Sequence, residues 1–224
     1  MALPLPAHDF EILIADLGRR VMYAPAVKCP CRGGSYDAAD PACPLCMGRG
    51  YFHEAEVGPL TIGATNMATS KKYQQYGEVE QGDLALTLPA QVRDAAGAWS
   101  ANPAYTAAER DRFVLTDGEV ELHAVLTKGT QDTLPQDQVV SITTLGAIVG
   151  GLFQEFTSGV DYTLVGATIQ WIGNPIADGD RYTVRYRVHP TYYVYRDLAV
   201  DRSQEGGEPL CRRVQARLME LWRR

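Results

Sequence analysis

The chain reads as a mainly β protein, an antiparallel sandwich or barrel flanked by a helix at each end and carrying a small metal-bound lobe. Three observations predict this. Short runs of period-two alternation recur between residues 56 and 200, separated by Gly, Asp and Pro. Apolar residues at helical spacing occur only near the two ends. Four of the five cysteines fall within residues 29–46, in a segment with many turn residues and no periodicity.

Residues 1–24 are expected to contain the first helix. Phe10, Ile14, Leu17 and Val21 share one stripe over residues 9–22, with Asp9 as N-cap. Residues 25–55 form the expected metal lobe. The β-domain then spans 56–200. In it Leu84, Leu86 and Leu88 alternate, and the runs on either side of Asp117-Gly118 suggest a hairpin. "DYTLVGATIQW" reads as another hairpin, turning at Gly166. Tyr182, Val184, Tyr186 and Val188 alternate with Arg181, Thr183, Arg185 and Arg187. Residues 92–111 are long and loop-like, which suggests an extended arm. Residues 201–224 read as a Gly206-Gly207 hinge followed by a docking helix. Leu210, Val214, Leu218 and Leu221 make its apolar stripe, and Arg212, Arg213, Arg217, Arg223 and Arg224 are its partner-binding residues.

The composition sets the class of partner. Hydrophobic residues make up 46% and charged residues 21%, enough to bury a core, and the net charge is −6. That acidic balance disfavours general phosphate binding. The start of the chain lacks the basic-then-apolar order of a signal peptide, so the expected place of synthesis is a reducing cytoplasm. The longest apolar run, "LGAIVGGLF" at 145–153, is too short to span a bilayer, and no membrane partner is expected.

In such a compartment, clustered thiols point to a metal. Cys29, Cys31, Cys43 and Cys46 follow C-x-C-x11-C-x2-C. Four thiolates at about 2.3 Å satisfy tetrahedral Zn2+ and leave no open position, which is the pattern of a structural ion rather than a catalytic one. "CPLCMGRGYF" resembles the zinc repeats of DnaJ-type chaperones, in which glycines let backbone amides turn toward the sulfurs. The first pair departs from the usual C-x2-C, so His53 stands as an alternative ligand, and an iron–sulfur centre is a second option for the group. Cys211 reads as a packed thiol. His8, His123 and His189 have no nucleophile or carboxylate arrangement beside them, and neither Walker, G-x-S-x-G, H-E-x-x-H nor G-x-G-x-x-G motifs occur. The expectation is a protein that is not an enzyme.

Residues 156–198, "FTSGVDYTLVGATIQWIGNPIADGDRYTVRYRVHPTYYVYRDL", resemble segments of tailed-bacteriophage virion proteins. With the cysteine segment and "LCRRVQARL" near the end, the order of features is similar to that of a neck or head-to-tail connector protein. The resemblance implies a virion location. It implies a ring of copies of the chain, hexameric or dodecameric, with portal, adaptor and tail proteins as neighbours. Packaged DNA would pass through that ring without sequence-specific binding. Two alternatives remain at this point: a zinc-knuckle module that binds nucleic acid or protein, and a baseplate or other tail component.

Overall fold

The computed structural model describes residues 6–32, 38–67, 82–173, 175–198, 204–205 and 208–219. In chain order the elements begin with α1 (Ala7–Leu17), β1 (Arg19–Ala24), β2 (Ala26–Lys28), β3 (Tyr51–His53) and β4 (Val57–Asn66). Next come β5 (Leu84–Leu88), β6 (Gln91–Arg93), β7 (Trp99–Ala101), a 3-10 turn (Pro103–Thr106), β8 (Arg112–Leu115) and β9 (Val120–Thr127). The rest are β10 (Val139–Val149), β11 (Leu152–Glu155), β12 (Tyr162–Val165), β13 (Thr168–Trp171), β14 (Arg181–Val188), β15 (Thr191–Asp197), β16 (Gln204–Glu205), β17 (Glu208–Pro209) and β18 (Arg212–Leu218). The protein is mainly β, as its alternation predicts.

The strands belong to two compact units. One is drawn from the chain up to Asp117 and from Thr191 onward, and the other is Gly118–Pro190. The first unit is a closed six-stranded antiparallel barrel in the order β1-β4-β5-β18-β15-β8, with β8 returning to β1. Its interior is set by period two. Val21 and Tyr23 of β1, Leu60 and Ile62 of β4, Leu86 and Leu88 of β5, and Val214 and Ala216 of β18 all point inward.

Four expectations are corrected here. The first helix ends at Leu17, not residue 22, and Pro6 rather than Asp9 holds the N-cap position. Gly18 causes the stop. A Cβ there would sit 2.7 Å from the Ile62 carbonyl oxygen, so only glycine lets the chain fold against β4 and continue as β1. Ile14 is buried and Val21 enters the barrel core, while Leu17 stays exposed.

The expected C-terminal docking helix is instead a strand, β18. Val214, Ala216 and Leu218 alternate as well as they fit a helix. Pairing on both sides, Val214 with Leu86 and Ala216 with Val194, closes the barrel. Two ladders of hydrogen bonds and a buried face outweigh local helix propensity.

The expected hairpin at Asp117-Gly118 does not form. β8 pairs with β1 and β15, whereas β9 pairs with β14. The Asp117 carboxylate accepts from Arg19 Nε at 2.8 Å and from the Arg20 N–H at 3.2 Å. It thereby fixes the turn to the barrel, and the chain passes from there into the other unit.

Residues 92–111 are not an extended arm. β6 and β7 pair around an Asp94 turn, and Val92, Ala104 and Ala107 enter the barrel core. Asn102 secures the return, donating from Nδ2 to the Pro89 carbonyl at 2.8 Å and accepting from the Ala104 N–H at 2.9 Å.

The second unit has a four-stranded sheet, β11-β10-β14-β9, and the β12-β13 hairpin. β14 alternates as expected: Tyr182, Val184, Tyr186 and Val188 are buried, and Arg181, Thr183, Arg185 and Arg187 are exposed. Asp132 ties hairpin to sheet, since its Oδ1 accepts from Tyr182 Oη at 2.7 Å and from Trp171 Nε1 at 3.1 Å. Among the described residues no helix is long and apolar enough to cross a membrane.

Because β18 is a barrel stave, removing residues 209–224 is expected to abolish the barrel's cooperative melt in circular dichroism. Leu86→Ala should cost about 2–5 kcal/mol in urea unfolding. A truncated chain that melts like the full one would contradict this placement of β18.

Candidate metal centre

The lobe begins on a short hairpin. β2 and β3 pair Ala26 with His53, Val27 with Phe52 and Lys28 with Tyr51. The Cys29 N–H continues the ladder, donating to the Gly50 carbonyl at 2.9 Å. The first cysteine pair turns directly off β2, where Arg32 N–H reaches the Cys29 carbonyl at 3.1 Å. The second pair is wound tighter. Met47 N–H donates to the Cys43 carbonyl at 2.8 Å, and Arg49 N–H donates to that of Cys46 at 3.0 Å. Returning to β3 then requires left-handed backbone, with φ of 50° at Met47, 78° at Gly48 and 75° at Gly50. At Gly50 a Cβ would also lie 2.8 Å from Arg32 Cδ. This gives the C-x2-C-x-G-x-G spacing its physical reason.

The two turns bring the four sulfurs together. Sγ of Cys29 lies 3.7 Å from that of Cys43, and Sγ of Cys31 lies 3.4 Å from that of Cys46. All four ligand atoms fall within 4.8 Å of one another. The thiols are free, and these separations far exceed a disulfide bond of about 2.05 Å. They match the edge of a tetrahedron: ligands about 2.3 Å from a central ion stand about 3.8 Å apart. The group can therefore hold a metal ion. Cys29 and Cys46 are buried, and Cys31 and Cys43 half-buried.

Electrostatics supports the same conclusion. Burial raises the Cys46 thiol, but the Gly50 N–H and the neighbouring sulfurs outweigh it and bring Cys46 down to about 7. The Asp40 N–H favours ionised Cys31, yet burial and the other three thiols push that group up to about 12. Four adjacent thiols resist becoming four adjacent anions, and a dication at their centre removes that resistance.

Around the lobe are cations. A cleft of about 270 Å³ is lined by Lys28, Arg32, Tyr51, Glu109 and Arg110, with Arg110 3.6 Å from Glu109 and its guanidinium 4.9 Å from the centre of the Tyr51 ring. A tetrathiolate around a dication would carry a net charge of about −2, which Lys28 and Arg32 would partly offset.

His53 is not part of the group. Its Nε2 shares a hydrogen bond of 3.0 Å with the Arg110 carbonyl, and its ring stacks on Tyr193 at 5.4 Å. Burial lowers its pKa. Asp111, which carried no sequence signal, seats the lobe on the barrel. Its Oδ1 accepts from the Ala26 N–H at 2.7 Å, and its Oδ2 accepts from Tyr23 Oη at 2.6 Å and the Ala108 N–H at 2.9 Å.

The C-terminal arginines are divided. Arg212 pairs with Asp197 and donates to the Tyr105 carbonyl at 3.1 Å. Arg217 donates to both oxygens of buried Asp83 at 3.2 Å, and its guanidinium lies 4.3 Å from the Tyr195 ring centre. These two brace the barrel. Arg213 is exposed, and Arg223 and Arg224 lie outside the described residues. Cys211 is half-buried, and burial pushes its thiol up to about 11. In the second unit, Arg185 and Arg187 face Glu121 and Glu119 at 3.6 and 3.5 Å on a solvated face.

Cys43→Ser is expected to reduce bound metal from about one ion per chain to below about 0.1, read by atomic emission, and to lower the melting temperature. Metal affinity should fall as pH is lowered, because each ligand thiol must lose a proton to bind. Unchanged metal content in the variant would contradict the four-sulfur site.

No protein-family model and no curated protein matches the chain.

Proposed function

We propose that this chain is a non-catalytic building block of a tailed-bacteriophage particle, a neck or head-to-tail connector component whose cysteine lobe is held by structural Zn2+. The observation that carries the reading is the build of the metal centre. Four sulfurs within 4.8 Å of one another would fill a tetrahedral shell and leave no position for a reacting water. Such a centre fixes the shape of a lobe too small to fold on its own. The resemblance of residues 156–198 to virion proteins supplies the setting. That stretch contains the β12-β13 hairpin and β14, which build much of the second unit's core. Zn2+ fits better than softer or redox-active ions because an all-thiolate tetrahedron suits its size and lack of geometric preference.

In this reading the ring's neighbours are copies of the chain together with portal and tail proteins. The acidic chain lets packaged DNA move past without phosphate contacts that would hold it. Purified particles of the source phage should contain the chain by peptide mass spectrometry, at several copies per particle. Particles complete without it would overturn the reading. Steeply salt-dependent binding of the free chain to short duplex DNA would favour a nucleic-acid-binding module instead.

A further inference from the structure

Most of the described arginines and lysines have a partner within the chain, as Arg19 has Asp117, Arg112 has Glu56 and Arg217 has Asp83. The cleft beside the cysteine lobe is different. Lys28 is exposed at its edge, and among the described residues its ammonium has no ion-pair or hydrogen-bond partner. The Arg110 guanidinium has only a loose one. Its Nε stands 3.6 Å from Glu109 Oε1, beyond hydrogen-bond reach, and the Glu109 side chain is 66% exposed.

Arg110 is nevertheless held in place with care. Its φ is 77°, a left-handed conformation that a residue with a Cβ disfavours. Two hydrogen bonds keep it there: its N–H donates to the Val194 carbonyl at 2.8 Å, and its carbonyl accepts from His53 Nε2 at 3.0 Å. His53 is itself fixed between rings, 5.6 Å from Tyr51 and 5.4 Å from Tyr193. The guanidinium then lies over Tyr51, a buried ring. A guanidinium on a ring face keeps its in-plane N–H donors available to a third group. A strained backbone position that aims an arginine into a cleft points to a ligand.

We infer that this cleft receives a carboxylate from an acidic segment of a partner protein, with Arg110 and Lys28 as its two contacts. The inference goes beyond the reading above, which assigns the cleft no contact. Charge complementarity identifies the occupant. Lys28, Arg32 and Arg110 face one carboxylate, Glu109, on a chain whose net charge is −6. Lys28 and Arg32 adjoin Cys29 and Cys31, so a loaded metal centre would draw on both, whereas Arg110 comes from the barrel side of the cleft. A space of about 270 Å³ is too small for a nucleotide or cofactor and takes a single side-chain group. The planar guanidinium fork matches a carboxylate, two N–H groups to two oxygens. Duplex DNA would need a row of such cations to follow its phosphates. Glu109 competes for Arg110 from within the cleft, so its charge opposes the incoming carboxylate.

Fluorescence anisotropy of a labelled tetraglutamate peptide against the full, metal-loaded chain tests this at low salt. Binding is expected to saturate and to be at least about tenfold tighter than for tetraglutamine. Arg110→Gly removes the guanidinium while glycine adopts the same φ without strain, and it should weaken binding at least about tenfold. Lys28→Ala should weaken it as well, and Glu109→Gln should strengthen it about twofold or more. An unchanged melting curve verifies the fold of each variant, and if one fails to fold the others decide. No saturation by about 1 mM peptide would overturn the site. So would binding that neither Arg110→Gly nor Lys28→Ala weakens, or inorganic phosphate displacing the peptide at a lower concentration than glutarate does. Loss of metal from Lys28→Ala with peptide binding unchanged would assign that lysine to the metal centre and overturn its role here.

Discussion

Four sulfurs within 4.8 Å of one another are the constraint on which the lobe depends. Against its burial, hydrogen bonds from the Gly50 N–H and the neighbouring thiols draw Cys46 down to about 7, while burial and the same thiols push Cys31 up to about 12. A dication held by the four sulfurs would offset the repulsion of their thiolates. Among the described residues of this lobe, Cys29, Cys46 and Gly50 are buried, and most of the others between 38 and 49 are exposed. The return to β3 uses positive φ at Met47, Gly48 and Gly50, which glycine adopts readily at two of the three positions.

The barrel gives the lobe a rigid base. β1 leads directly into β2, β3 leads toward β4, and Asp111 joins Tyr23, Ala26 and Ala108 with three hydrogen bonds. The His53 ring adds an aromatic contact to Tyr193 of β15. Barrel closure depends in turn on the last strand. β18 contributes Val214 and Ala216 to the interior, while Gln215 and Arg217 meet Asp83 on its other side. A buried carboxylate with an amide and a guanidinium on it fixes the strand's register, since slipping by one residue would leave Asp83 unpaired in the interior.

Much of this was legible in the sequence because it rests on local pattern. The alternation of β14 and the Gly166 hairpin reads directly from residues 162–188. The cysteine spacing pointed to the four sulfurs that the fold brings together, since such turns are set within a few residues. The errors came where tertiary pairing decides. Residues 212–218 satisfy both a helical and an alternating pattern, and only the need for a sixth stave selects the strand. Asp117-Gly118 is a good turn whose flanking strands were claimed by different partners. Residues 92–111 looked like an arm because the small Ala104 and Ala107 give no hydrophobic period, although both are fully buried. Asp111 had no signal at all, being one carboxylate in a charged stretch.

The four sulfurs are so placed that they would close an all-sulfur shell around one ion. X-ray absorption at the zinc edge, on the full chain purified without added metal, tests it most directly. A single shell of four sulfurs at about 2.3 Å is the expected result. A natively folded chain without metal, or a shell containing nitrogen or oxygen ligands, would contradict it.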